Sequence, residues 1–119
     1  MENKRLSIKK RNGELIAGNV LIASKLLERM KGLMFSLELP SCDGLLIKQC
    51  NSIHTFFMLY PIDIIFLDKD FKVIRTIYNI SPWKMTWVYL KASQVLEMKA
   101  GTLSTNISEG DVLEVVCLN

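Results

Sequence analysis

The chain is 119 residues long, 50% hydrophobic and 23% charged, with a formal net charge of +3. That length fits one domain around one core, and the composition excludes an intrinsically disordered chain. Its longest apolar run, near residues 62–67, falls far short of the roughly 20 residues that span a bilayer, which excludes a membrane-spanning helix.

Residues 1–11 carry Lys4, Arg5, Lys9, Lys10 and Arg11 against the single acid Glu2. They read as an edge strand with Leu6 and Ile8 inward and lysines that discourage edge-to-edge pairing. A phosphate-contacting arm is the competing reading, but no aromatic residue interleaves with these charges to stack on bases. No nucleic-acid partner is therefore expected. An apolar export segment does not follow the basic start. Cys42, Cys50 and Cys117 leave an odd thiol under any pairing, with no C-x-x-C. Free, mostly buried thiols in a reducing cytoplasm are the expectation.

Residues 6–9 alternate, and Arg11-Asn12-Gly13 supplies a strong hairpin signal, since Asn and Gly tolerate positive φ. Residues 15–21 form the returning strand, with Gly18 a candidate bulge. The next segment predicts an amphipathic helix at about 22–34. At about 100° per residue, Ile22, Leu26, Leu27, Met30, Leu33 and Met34 fall within an arc of about 140°. Ser24 fits an N-cap and Gly32 a stop.

After Pro40 the chain reads as strands at 44–49, 52–59, 62–67 and 72–80, with a turn at 68–70. Residues 81–92 hold Pro82, Trp83 and Trp87 and read as a loop with one extended piece. A strand at 94–99 follows, then a short helical or coil excursion at 101–106, a turn at 108–111 and a closing strand at 112–118. The pattern predicts an α+β fold. It is β-rich, with a mostly antiparallel curved sheet or partly closed barrel, one helix, and room for a short second helix.

Four blocks of residues, in order, resemble one family. Arg29-Met30-Lys31-Gly32-Leu33-Met34 is similar to an R-x-x-G-L-M signature. His54-Thr55-Phe56-Phe57-Met58 with Pro61-Ile62-Asp63, then Val95-Leu96-Glu97 with Ala100-Gly101, then Gly110-Asp111, match later blocks. Together they resemble the domain-of-unknown-function family numbered 192. The resemblance implies a small β-rich fold with a helix in the N-terminal third, and it implies no activity. Phe57 and Tyr60 stand where many members carry a tryptophan and an asparagine.

His54 is the only histidine, so any histidine chemistry runs through it. Cys50, His54 and Met58 suggest a soft-metal set, but four residues of strand separate them by about 13 Å per step, too far to share an ion. No metal or other cofactor is expected. A hairpin placing Met58 opposite Ile62 holds His54 and Asp63 roughly 10 Å apart. Asp63 precedes four apolar residues, so burial is expected. Its carboxylate then either accepts backbone N–H groups of the turn at 59–61 or rims a pocket. Glu97 either points to solvent or joins Asp63 and His54 if the sheet curls.

Trp83 and Trp87, beside Lys84 and Lys91, form either an exposed recognition patch or a cover over one barrel end. Two functional classes follow. The favoured one is a binding module that offers an apolar or aromatic pocket or patch, including His54, Met58, Asp63, Trp83 and Trp87, to a small ligand or a protein. Neither nucleic acid nor membrane is among its expected partners. The alternative is a small enzyme with hydrolase-like acid–base chemistry at His54 with Asp63 or Glu97. No nucleophile motif or phosphate loop supports the second.

Overall fold

The computed structural model describes residues 4–24, 29, 42–103 and 106–118. Seven strands form one sheet: β1 (Arg5–Lys9), β2 (Leu15–Ala23), β3 (Gly44–Lys48), β4 (Ile62–Leu67), β5 (Val73–Ile80), β6 (Gln94–Lys99) and β7 (Glu114–Cys117). The spatial order is β5-β4-β6-β3-β2-β1-β7. Five neighbouring pairs are antiparallel, and β2 with β3 is parallel. The sheet is thus mixed rather than purely antiparallel.

The first hairpin turns on Gly13, at φ 94°, with Gly13 N–H donating to the Lys10 carbonyl at 3.0 Å. Asn12 Oδ1 accepts from Glu14 N–H at 2.9 Å and closes the turn. Register then slips: Leu6 faces Val20, whereas Ile8 faces Ala17. β2 spends three steps where β1 spends two, so the extra residue lies at Gly18 or Asn19, a β-bulge. Gly18 N–H donates to Asp43 Oδ2 at 3.1 Å, which ties the bulge to the entry of β3.

The helix expected over 22–34 is not borne out. Ile22 and Ala23 belong to β2 and pair with Leu46 and Ile47 of β3; residues 25–28 and 30–34 lie outside the described residues. The apolar run at 20–23 suits either period, and the ladder with β3 claims it for a strand. No helix is found at 101–103 or 106 either; residues 104 and 105 lie outside the described set. The strand expected at 52–59 reduces to one isolated bridge, His54 with Met85.

Every residue of β4 is buried, because the sheet is covered on both sides. One face carries Leu21, Leu45, Ile47, Ile64, Phe66 and Val95, over which Ile53, Met58 and Tyr60 pack. The opposite face carries Ile8, Val20, Leu46, Ile65, Leu96 and Met98, with Ile107 and Leu113. Curvature around this second face brings the approach to β7 against the start of β5. Lys72 bridges Val112, and Val73 N–H donates to the Asp111 carbonyl at 2.7 Å. The sheet does not close beyond that contact, so of the two forms expected, a curved sheet or a partly closed barrel, the open curved sheet is the one found. Among the described residues no helix is long and apolar enough to cross a membrane.

Candidate functional site

Two segments without regular strands, residues 50–61 and 81–92, lie side by side over the first face of the sheet. They are laced antiparallel. Tyr89 N–H donates to the Asn51 carbonyl at 2.9 Å, Thr86 N–H to Ile53 at 2.9 Å, Thr55 N–H to Lys84 at 2.8 Å and Trp83 N–H to Thr55 at 3.0 Å. Pro61 and Pro82 lack a donor for a regular ladder, and threonine side chains supply what the backbone omits. Buried Thr55 donates its hydroxyl to the Ser81 carbonyl at 2.7 Å and accepts from Lys84 N–H at 2.8 Å. Thr86 Oγ1 accepts from Ile53 N–H at 2.9 Å. One hydroxyl thereby fixes the start and middle of the second segment to the first.

The ribbon has two unlike sides. Inward, Ile53, Met58, Tyr60 and Ala92 join the core, and Tyr89 packs on Phe66 with ring centroids 4.6 Å apart. Outward, Trp83 is 60% exposed, Met85 73%, Trp87 83% and Leu90 86%, with Leu59 and Val88 also open. Lys84 and Lys91 are exposed among them, and neither segment contains an Asp or Glu. A run of large apolar side chains in water is unusual for a monomer surface.

Phe57 and Trp83 adopt left-handed backbone, with φ of 63° and 68°. For bulky residues this costs about 1–2 kcal/mol each, so the surroundings must hold them. Phe57 and Trp83 contact edge to face at 4.7 Å, Phe56 stacks on Trp83 at 5.8 Å, and His54 stacks on Phe56 at 4.9 Å. The left-handed residue also shifts the alternation: Ile53 and Thr55 point inward, then Met58 and Tyr60 do. Strict alternation would put Met58 on the same face as His54; the shift at Phe57 buries Met58 instead.

His54, Trp83 and Trp87 share this ribbon, with Met58 beneath it, and Asp63 lies elsewhere. Asp63 faces Met98 across β4–β6, whereas Glu97 faces Ile64. Directly paired residues point the same way, so Asp63 and Glu97 project from opposite faces of the sheet. The convergence of both with His54 that a curling sheet would bring about is therefore not formed. Asp63 is 3% exposed, and its Oδ1 accepts from Asn79 N–H at 2.7 Å and its Oδ2 from Gly101 N–H at 3.3 Å. It pins β5 and the turn after β6, rather than the turn at 59–61. An open depression of about 440 Å³ lies beside it, lined in part by Tyr78, Asn79 and Leu103. Glu97 is 2% exposed and does not point to solvent. Nδ1 of His54 accepts weakly from Phe56 N–H at 3.3 Å, and no hydrogen bond joins His54 to either carboxylate among the described residues.

The thiol of Cys50 donates to the Ser52 carbonyl at 3.0 Å. Burial pushes it above its ordinary value of 9.0, and the nearby Glu97 charge pushes the same way. Burial likewise raises Cys42. Both thiols are therefore biased toward the protonated, less nucleophilic form. Among the described residues no group of three His, Cys, Asp or Glu side chains gathers to hold a metal ion.

The sequence reading missed Thr55, Met85, Val88 and Leu90. Thr55 carried a usable signal: alternation turns it inward between Ile53 and Phe57, and a buried hydroxyl needs partners. The other three lie in a segment with no period that separates inside from outside.

The family model DUF192, described as uncharacterized ACR, matches residues 7–115. A UPF0127 protein of Pyrococcus horikoshii is 34% identical over 87 residues, covering 71% of this chain and 75% of that protein. A UPF0127 protein of Thermococcus sibiricus is 30% identical over 115 residues, covering 90% and 72%. Among solved structures, a Sinorhizobium meliloti protein provisionally named a transcription regulator superposes with a TM-score of 0.78 at 22% identity, covering 94% of this chain and 92% of its own. A protein of unknown function from Novosphingobium aromaticivorans gives 0.69 at 23% identity, covering 92% and 83%. At such identities these two share the fold alone.

Proposed function

This chain belongs to the DUF192 family, whose matched relatives are uncharacterised, and from that premise we propose that it is a non-catalytic binding module whose contact surface is the outer side of the ribbon at 50–61 and 81–92. One observation carries the reading: Trp83, Met85, Trp87 and Leu90 stand between 60% and 86% exposed on the segment at 81–92, which the Thr55 hydroxyl ties to the segment at 50–61. Large rigid side chains lose little freedom on binding and bury much area, which is how a few residues dominate an interface. His54 and Phe56 extend the stack from Trp83, and Met58 supports it from below. Asp63, committed to two backbone amides, serves the sheet. For the acid–base alternative, which pairs His54 with Asp63 or Glu97, Asp63 is already committed to two backbone amides and projects from the face opposite Glu97, which counts against one shared cluster.

Acrylamide quenching of the single-tryptophan variants Trp83→Phe and Trp87→Phe tests this. Both remaining indoles should quench strongly and emit at long wavelength. Protected indoles in a folded monomer would remove the surface and the proposal with it.

A further inference from the structure

The partner can be specified further, on the premise that the ribbon is a contact surface: we infer that it docks on an anionic lipid interface, lying on the membrane rather than crossing it. Three features of the ribbon point there together.

The first is shape. Met85, Trp87 and Leu90 are 73–86% exposed, so they project from the ribbon instead of lining a groove. A folded protein partner needs a matching hollow for each projection; hydrated headgroups and acyl chains deform around them. The second is composition. Indoles sit at the headgroup level while Leu, Met and Val side chains reach the acyl boundary, and the exposed set is Phe57, Trp83, Trp87, Leu59, Met85, Val88 and Leu90. A single-stranded nucleic acid would take the aromatic rings but would gain nothing from four aliphatic projections. The third is charge. Lys84 and Lys91 stand in the ribbon with no carboxylate in either segment, although the chain holds 12 acidic residues. That distribution complements an anionic surface and repels a second copy of itself. That no helix among the described residues is long and apolar enough to cross a membrane has no bearing on a contact of this kind.

Co-sedimentation of the intact protein with large phosphatidylcholine–phosphatidylserine vesicles, with tryptophan emission recorded on the bound fraction, is the test. The protein should pellet with the vesicles, and its emission should shift to the blue. Trp87→Ala with Leu90→Ala should abolish both effects with an unchanged circular dichroism spectrum. Leu15→Ala, also apolar and 55% exposed but outside the ribbon, should bind as the parent does. At about fivefold for each lysine near an anionic surface, Lys84→Gln with Lys91→Gln should weaken partition about 25-fold at low salt. Exposed indoles with no vesicle binding would overturn the lipid assignment alone, and so would oligonucleotide binding or a concentration-dependent dimer that buries Trp87. Indoles already protected in the free monomer would overturn the contact surface itself.

Discussion

Replacing Thr55 by valine keeps the shape of the side chain and deletes its hydroxyl. In the native ribbon that hydroxyl donates to the Ser81 carbonyl at 2.7 Å and accepts Lys84 N–H at 2.8 Å, at a residue 1% exposed. Valine leaves both half-buried backbone groups without these bonds, and each costs about 1–3 kcal/mol where water does not replace the lost partner. The sum is about 2–6 kcal/mol, unless opening the ribbon locally is cheaper and limits the loss. With a urea dependence of about 1–3 kcal/mol per molar, the unfolding midpoint should fall by about 1–3 M. Hydrogen exchange separates the two routes: a local opening accelerates the amides of Trp83, Lys84 and Thr86 while the β4 amides stay protected. Thr55→Ser should restore most of the loss because it keeps the oxygen. A midpoint within about 0.3 M of the parent, with the Lys84 amide exchanging at its original rate, would refute the clamp.

Other expectations follow from the same geometry. Asp63→Asn puts an amide donor against one of two N–H donors, so urea unfolding should show a loss of about 1–3 kcal/mol. Gly44→Ala would set a methyl 3.2 Å from the Glu97 carbonyl oxygen and 3.2 Å from Met98 Cγ, and the same assay should read about 1–3 kcal/mol of overpacking. With Ellman's reagent, exposed Cys117 should react at once and half-buried Cys42 and Cys50 slowly. The Cys50 thiol is raised by burial from 9.0, so its protonated form contributes stability that is whole below that pH and drains as pH climbs through the higher folded value. Urea midpoints should thus fall more steeply above pH 9.0 for the parent than for Cys50→Ala.

Where local chemistry decided the structure, the sequence was readable. The Asn12-Gly13 hairpin, the apolar run of β4 and the strand at Gln94–Lys99 all stand as expected, because turn residues and short-range patterning specify them. Where long-range pairing decided, it was not. Ile22 and Ala23 fit a helix until β3 lies parallel to them. Asp63 and Glu97 are assigned to opposite faces only once β6 is known to sit beside β4 in that register. At the ribbon, the positive φ of Phe57 shifts the alternation by one residue. No pattern of residue types announces such a shift, so the side on which Met58 lies was hidden. The tryptophans were legible as a pair of alternatives, exposed patch or cover, because composition cannot say which side of a loop meets water.

One ribbon carries a dry side and a wet side a few residues apart. Hydroxyl-radical footprinting with mass spectrometry reads both in a single sample. Met85, Trp87 and Leu90 should be oxidised rapidly, while Met58, Tyr60 and Met98, all buried, stay protected until the protein unfolds. Equal labelling of Met85 and Met58 in the folded monomer would contradict the account.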